Sequence, residues 1–351
     1  MKRPCKWVIW ALIPVCAMFF PLFVSSPVQA ALDPPLYTRK AVVQIPNYNA
    51  AACYDIAFVH QGKLYMSDDT NKAVDVIDGT DMSRIGAGMF QGIAGCHSFD
   101  FSQEGPTGVL VEHGLVWAGD GNSTVKVFDA LTGRWLATIA TGPASNSRAD
   151  EMDYLPDRNE VVIANPDATP FPYLSYIDAR TFKIVHRQIF QNATAGLEQP
   201  RYAHGLLYQA IPATVANPGG EIDVIDPHNY KIVARYATGN CGPSGLELIG
   251  HMAATGCANG ASEVINFENG KITVIKGSGA ADMVAADPAR GHFFFACYGD
   301  ATLYVTTASG RTLQAIPTDS DAHSVAVNTH TGELYAPVGT LGGVAEYTLS
   351  A

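Results

Sequence analysis

The chain has 351 residues, 47% of them hydrophobic and only 16% charged, a balance that excludes a disordered polyelectrolyte. Its formal net charge is −11, with 22 Lys and Arg against 33 Asp and Glu. A phosphate backbone is therefore an unfavourable default partner, and nucleic-acid binding is not expected.

Taken in order, residues 1–30 read as a secretory leader. Lys2, Arg3 and Lys6 form a basic start, residues 7–24 an apolar run broken by Pro14 and Pro21, and Val28-Gln29-Ala30 a small-residue cleavage site. Cleavage there leaves residues 31–351 as a single domain, periplasmic or secreted, with no further membrane-spanning segment. It also removes three cations, taking the net charge from −11 to −14. Residues 38–46 then look like a lone strand with no unit before it.

From there a pattern recurs. Val76-Ile77-Asp78 is followed by Val127-Phe128-Asp129, Tyr176-Ile177-Asp178 and Val224-Ile225-Asp226. Looser copies are Val264-Ile265-Asn266, Tyr304-Val305-Thr306 and Glu346-Tyr347-Thr348. The seven copies lie 51, 49, 48, 40, 40 and 42 residues apart, close to the ~40–45 residues of a four-stranded propeller blade. A second strand precedes most copies, as in Leu115-Val116-Trp117-Ala118 or Phe293-Phe294-Phe295-Ala296. A first strand such as Ser324-Val325-Ala326-Val327 precedes that one, and a fourth such as Trp135-Leu136-Ala137-Thr138-Ile139 closes the unit. The last unit ends after its third strand, and residues 38–46 supply the missing fourth. The expected fold is an all-β, seven-bladed β-propeller whose ring closes through its N-terminal strand and so leaves no open edge.

Leu64-Tyr65-Met66-Ser67, Glu333-Leu334-Tyr335-Ala336 and the Val-Ile-Asp copies resemble the YncE-like, YVTN-type β-propeller repeat proteins. The resemblance runs through nearly the whole chain beyond the leader. It implies blades rather than a particular chemistry.

An exported chain meets an oxidising compartment, and five cysteines follow the leader. Cys241 opens the first strand of the fifth unit and Cys257 closes the second, around a hairpin near Gly250, so a Cys241–Cys257 disulfide is expected. Cys53 and Cys96 hold comparable places in neighbouring units, as a pair or as buried thiols. The odd count leaves at least one thiol unpaired within the chain.

In a propeller the first strands line the central channel, and loops from every blade converge on one face, the top. Aligning the units puts Tyr54, His97, Asp150, Arg201, Pro243, Asp282 and His323 at one level, with Glu151 and Ser244 next in line. The fourth unit shows no clear first hairpin, so the alignment is loosest at Arg201. The polar members form the expected ligand site. His97, His323, Asp150 and Asp282 carry donors suited to one divalent metal ion, the candidate cofactor. The same four are the catalytic candidates, with His97 or His323 as general base and Asp282 or Asp150 orienting it. No HExxH, GxSxG or paired CxxC motif adds to this. Asp68, Asp69, Asp120, Asn122, Asn165, Asp167 and Asp300 read as turn residues. The longer segments at 166–173 and 211–220 are apolar and Pro-rich, suited to a partner at the rim.

Three function classes follow. The first is a binding or interaction propeller offering its top-face funnel to a small molecule or a periplasmic partner protein. The second is a metal-assisted, lactonase-like hydrolase or lyase using the His/Asp ring. The third is a subunit of a periplasmic oxidoreductase, although no CxxCH or Rossmann glycine pattern accompanies it.

Overall fold

The computed structural model describes residues 35–48, 54–92, 103–143, 148–320 and 322–350. The expected leader, His97, Cys53 and Cys96 lie outside them. The described residues form seven four-stranded sheets. Six are consecutive antiparallel meanders. The seventh places Tyr37–Gln44 beside Gly343–Leu349, with Tyr37 opposite Leu349 and Gln44 opposite Gly343. The first strand of each sheet touches the first strands of both neighbours, including Val284–Asp287 against Ala326–Val327 and the latter against Tyr54–His60. The circle is therefore complete, and the fold is a seven-bladed β-propeller. Among the described residues no helix is long and apolar enough to cross a membrane.

Each blade is packed on both faces, which is why its middle strands read as continuous rather than alternating apolar runs. Phe293, Phe294 and Phe295 show this most plainly, since all three are fully buried. Phe294 joins the slab that runs through blades six, seven, one and two, whereas Phe293 and Phe295 join the slab between blades five and six. Period-two alternation sends neighbours to opposite faces, and here each face meets another blade. Burying each such ring stabilises the fold by roughly 1.5–3 kcal/mol.

The repeated acid after Val-Ile has a local task. Asp129 accepts hydrogen bonds from Leu131 N (3.1 Å), Thr132 N (2.8 Å) and Thr132 Oγ1 (2.7 Å). Asp178 does the same for Arg180 N and Thr181 N, and Asp226 for His228 N. The acid thus builds an Asx turn between the third and fourth strands, satisfying backbone donors that the ladder leaves over.

One expectation is corrected. The fourth unit does have its first hairpin, Pro200–Ala203 paired with Leu206–Ile211. Its turn is His204-Gly205, with φ of +52° and +78°. A two-residue hairpin turn with both φ values positive normally advertises itself as Asn-Gly or Asp-Gly, and His in that place hid it.

The Cys241–Cys257 disulfide is present, with Cα atoms 4.6 Å apart. It ties the start of one strand to the end of its partner, next to the Pro243–Cys257 register pair. Cys297 is a free, buried thiol, and burial pushes its pKa up to about 12, so it is a poor nucleophile.

Candidate functional site

The channel mouth is built by a bulge repeated around the ring. In blade three, Asp150 N donates to Ala164 O and Ala164 N donates to Glu151 O, so two residues face one. Blade four repeats this with Glu198 and Gln199 opposite Ala210, and blade six with Asp282 and Met283 opposite Ala296. Blade two does so with Thr107 and Gly108 opposite Gly119. In blades one and five the register slips between Tyr54 and Ala57 and between Pro243 and Leu246. This makes Asp55 and Ser244 the equivalent first bulge residues. A bulge adds one residue to the inner strand and re-aims its side chain. Its first position here carries a carboxylate in four blades: Asp55, Asp150, Glu198 and Asp282.

Close approach between neighbouring blades at this level supports this. A Cβ on Gly245 or Gly256 would lie 2.4 or 2.1 Å from Asp282 O, and one on Gly108 would lie 2.0 Å from Asp150 O. Gly245 N also donates to Asp282 O at 3.0 Å. Only glycine lets the neighbouring blade sit this near the backbone of the acidic residue.

The carboxylates are crowded. Single donor oxygens of Glu151, Glu198 and Asp282 lie within 4.8 Å of one another, and so do donor atoms of Asp55, Asp282 and His323. His323 Nε2 is 3.9 Å from Asp55 Oδ1. Arg148 enters from the loop before blade three, its Nε donating to Asp150 Oδ2 at 2.6 Å. Asp69, 3% exposed, approaches from the second-to-third-strand turn of blade one.

Burial pushes every one of these acids up. Asp150 rises to about 6, with Arg148 opposing the rise. Glu151 and Glu198 are held well above the usual carboxylate range by burial first, then by the charges of Glu198 and Asp150 on Glu151 and of Asp282 on Glu198. Asp55 and Asp282 are raised by burial while His323 pulls them down. Asp69 is raised well above its ordinary value by burial and by Asp55 and Glu104. The region therefore disfavours a full complement of negative charge unless cations or protons are supplied.

The sequence-derived residues sort as follows. Asp150, Glu151, Asp282 and His323 are brought together. Ser244 is 6% exposed and occupies the bulge position of blade five. Tyr54 is fully buried and stacks on Tyr48 at 5.2 Å in the cluster between blades seven and one, one residue short of Asp55, which faces the channel. Arg201 lies three residues beyond Glu198, where its Nε donates to Glu247 Oε1 at 2.8 Å and its Nη1 to Met152 O at 3.5 Å. It braces the inner strands of blades three, four and five instead of joining the Asp150 level. His97 lies outside the described residues.

Asp55, Glu198, Arg148 and Asp69 were not in the expected set. Asp55 and Glu198 are displaced from it by one and three positions, Arg148 sits in a small-residue linker, and Asp69 looks like an ordinary turn acid. Other turn acids are structural. Asp120 accepts from Gln91 N (2.9 Å), Gly92 N (2.8 Å) and Gly121 N (2.9 Å), and pairs with Lys126.

No family model matches this chain, and no curated protein matches it. Solved structures do. A chain of a mitotic checkpoint complex is 12% identical, with a TM-score of 0.68 over 97% of this chain and 100% of that one. Kuenenia stuttgartiensis hydrazine synthase is 12% identical, with a TM-score of 0.67 over 90% and 97%. A computationally designed protein is 13% identical, with a TM-score of 0.61 over 89% and 100%. At such identities the likeness concerns the fold alone.

Proposed function

We propose that this chain is an exported, YncE-like binding propeller whose top-face funnel receives a cationic group. The observation that carries this is the convergence of Asp55, Asp150, Glu198 and Asp282 from four blades onto one level. The propeller supplies the scaffold, because rigid inner strands hold loops and bulges from separate blades around one axis. Buried carboxylates facing one another hold a cation well, since it relieves their mutual repulsion as well as pairing with each. The leader-like residues 1–30 support a periplasmic or secreted location, and N-terminal sequencing of the exported protein is expected to begin at Ala31.

The direct test is calorimetry with a small dication, putrescine, on chelator-treated protein at low salt. Binding is expected, weakening as salt rises, and lost in the Asp55→Asn Glu198→Gln double variant. Equal heats from wild type and variant would remove the funnel from consideration.

A second reading, metal-assisted hydrolysis or lyase chemistry, is favoured by one observation. His323 stands beside Asp55 and Asp282, the arrangement a general base needs for its orientation. Its test is turnover of a lactone panel, with His323→Ala lowering kcat at unchanged fold.

A further inference from the structure

We infer that the channel mouth is a two-ion divalent-metal centre, with Asp282 shared between one cation held with Asp55 and His323 and a second held with Glu151 and Glu198. This rests on the funnel reading above and names the class of cation. Both donor sets contain Asp282, and within each set the donor atoms already lie within 4.8 Å. Two ligands on one first-row cation at ~2.1 Å can be no more than about 4.2 Å apart, and the 3.9 Å between His323 Nε2 and Asp55 Oδ1 meets that limit.

A second observation points the same way. Glu151 and Asp150 are 3% and 2% exposed, yet Glu151 Oε2 and Asp150 Oδ1 have no hydrogen-bond partner among the described residues. A buried carboxylate oxygen without a donor costs stability unless a cation or water completes it. Protein charge falls short: Arg201, which acts on Glu151, is already paired with Glu247, His323 offsets Asp55 and Asp282, and Asp55, Asp69, Asp150, Glu198 and Asp282 share the guanidinium of Arg148. Two divalent cations and that guanidinium bring the cluster close to neutrality. A third cluster, Cys241, Cys257 and Glu263, has the spacing but not the chemistry, because both sulfurs are consumed in the disulfide.

The donor types separate the two positions. Imidazole with two carboxylates suits manganese, iron(II) or zinc, whereas three carboxylates suit hard cations such as manganese, calcium or magnesium. Manganese(II) is common to both, and it is the probe of choice.

The experiment is titration of the chelator-treated full chain with Mn2+, following free Mn2+ by electron paramagnetic resonance. Two equivalents are expected to bind. Asp282→Asn is expected to lose both, His323→Ala one, and Glu198→Gln the other, each affected site weakening ~10-fold or more. Without metal, Asp282→Asn should melt no lower than wild type, because it removes a crowded charge. A merely structural Asp282 would instead melt lower in metal-free buffer, and that result overturns the proposal. So does the absence of Mn2+ binding in wild type, or two equivalents retained by folded Asp282→Asn. Putrescine binding without Mn2+ binding would leave the funnel reading standing and remove the metal centre. Loss of both would remove both.

Discussion

At the scale of single residues, a paired acid in the blade body sets a pH dependence separate from the channel. Asp75 and Asp223 occupy the same place in the third strands of blades one and four, opposite Arg84 and Arg235 in the fourth strands. In each case one guanidinium serves two acids: Arg84 reaches Asp75 at 2.9 Å and Asp68 at 3.6 Å, and Arg235 reaches Asp223 at 3.3 Å and Glu221 at 3.8 Å. Burial, then the neighbouring acid, raises Asp75 from 3.8 to about 8, and burial raises Asp223 from 3.8 to about 7. Folded protein thus binds more protons than unfolded chain between those limits. The stability these acids contribute is full below about pH 4 and is lost as pH rises through 7 and 8. In chelator, the melting temperature is expected to fall between pH 5 and 8.5, and less steeply in Asp75→Asn Asp223→Asn. Identical slopes in the two proteins would contradict this. Gly256 offers a second residue-scale test. Its added Cβ would stand 2.1 Å from Asp282 O, so Gly256→Ala is expected to cost ~1–3 kcal/mol and to shift the Asp282 carboxylate, read by denaturant melts and Mn2+ titration together.

At the scale of elements, the Cys241–Cys257 bridge and the bulges act on the same strands. The bridge closes a sequence separation of 16 residues. Cross-linking that span is worth ~2–4 kcal/mol, largely by restricting the unfolded chain. The Cys241→Ala Cys257→Ala variant is expected to show that loss in urea melts, and wild type the same loss under reductant. An unchanged midpoint in both would show that the hairpin alone holds this corner. The bulges decide which side chain of each inner strand meets the channel, and hence why Asp55 faces it while Tyr54 packs between blades.

At the scale of the whole molecule, closure is the feature on which the rest depends. Tyr37–Gln44 pairs along its length with Gly343–Leu349, and Tyr37 N accepts further anchoring by donating to Gln314 Oε1 at 2.7 Å in blade six. Deleting residues up to 46 would leave Gly343–Leu349 as an exposed strand edge, a template for pairing with other chains. Such a truncation is expected to lose its cooperative melt and to self-associate on size exclusion. Adding a peptide of residues 35–46 should restore the monomer. A truncated chain that stays monomeric and melts as wild type does would show that the ring does not need its clasp.

Much of this was legible from residue order alone, for physical reasons that operate within one blade. Val-Ile-Asp recurs because a strand packed on both faces must be apolar and its turn must be capped, so blade number, ring closure and the disulfide hairpin could be read off directly. The channel was legible only in part. Asp150, Glu151, Asp282 and His323 came from counting along strands, and that counting is reliable until a bulge inserts a residue. A one-residue insertion swaps the two faces of a strand without altering composition, which is how Tyr54 and Asp55 exchange places. Glu198, Arg148 and Asp69 belong to different blades and loops, and their meeting is a property of the closed circle. Local residue patterns determined the blades; the distances across the axis, which turn scattered acids into one crowded site, were decided only when seven of them closed.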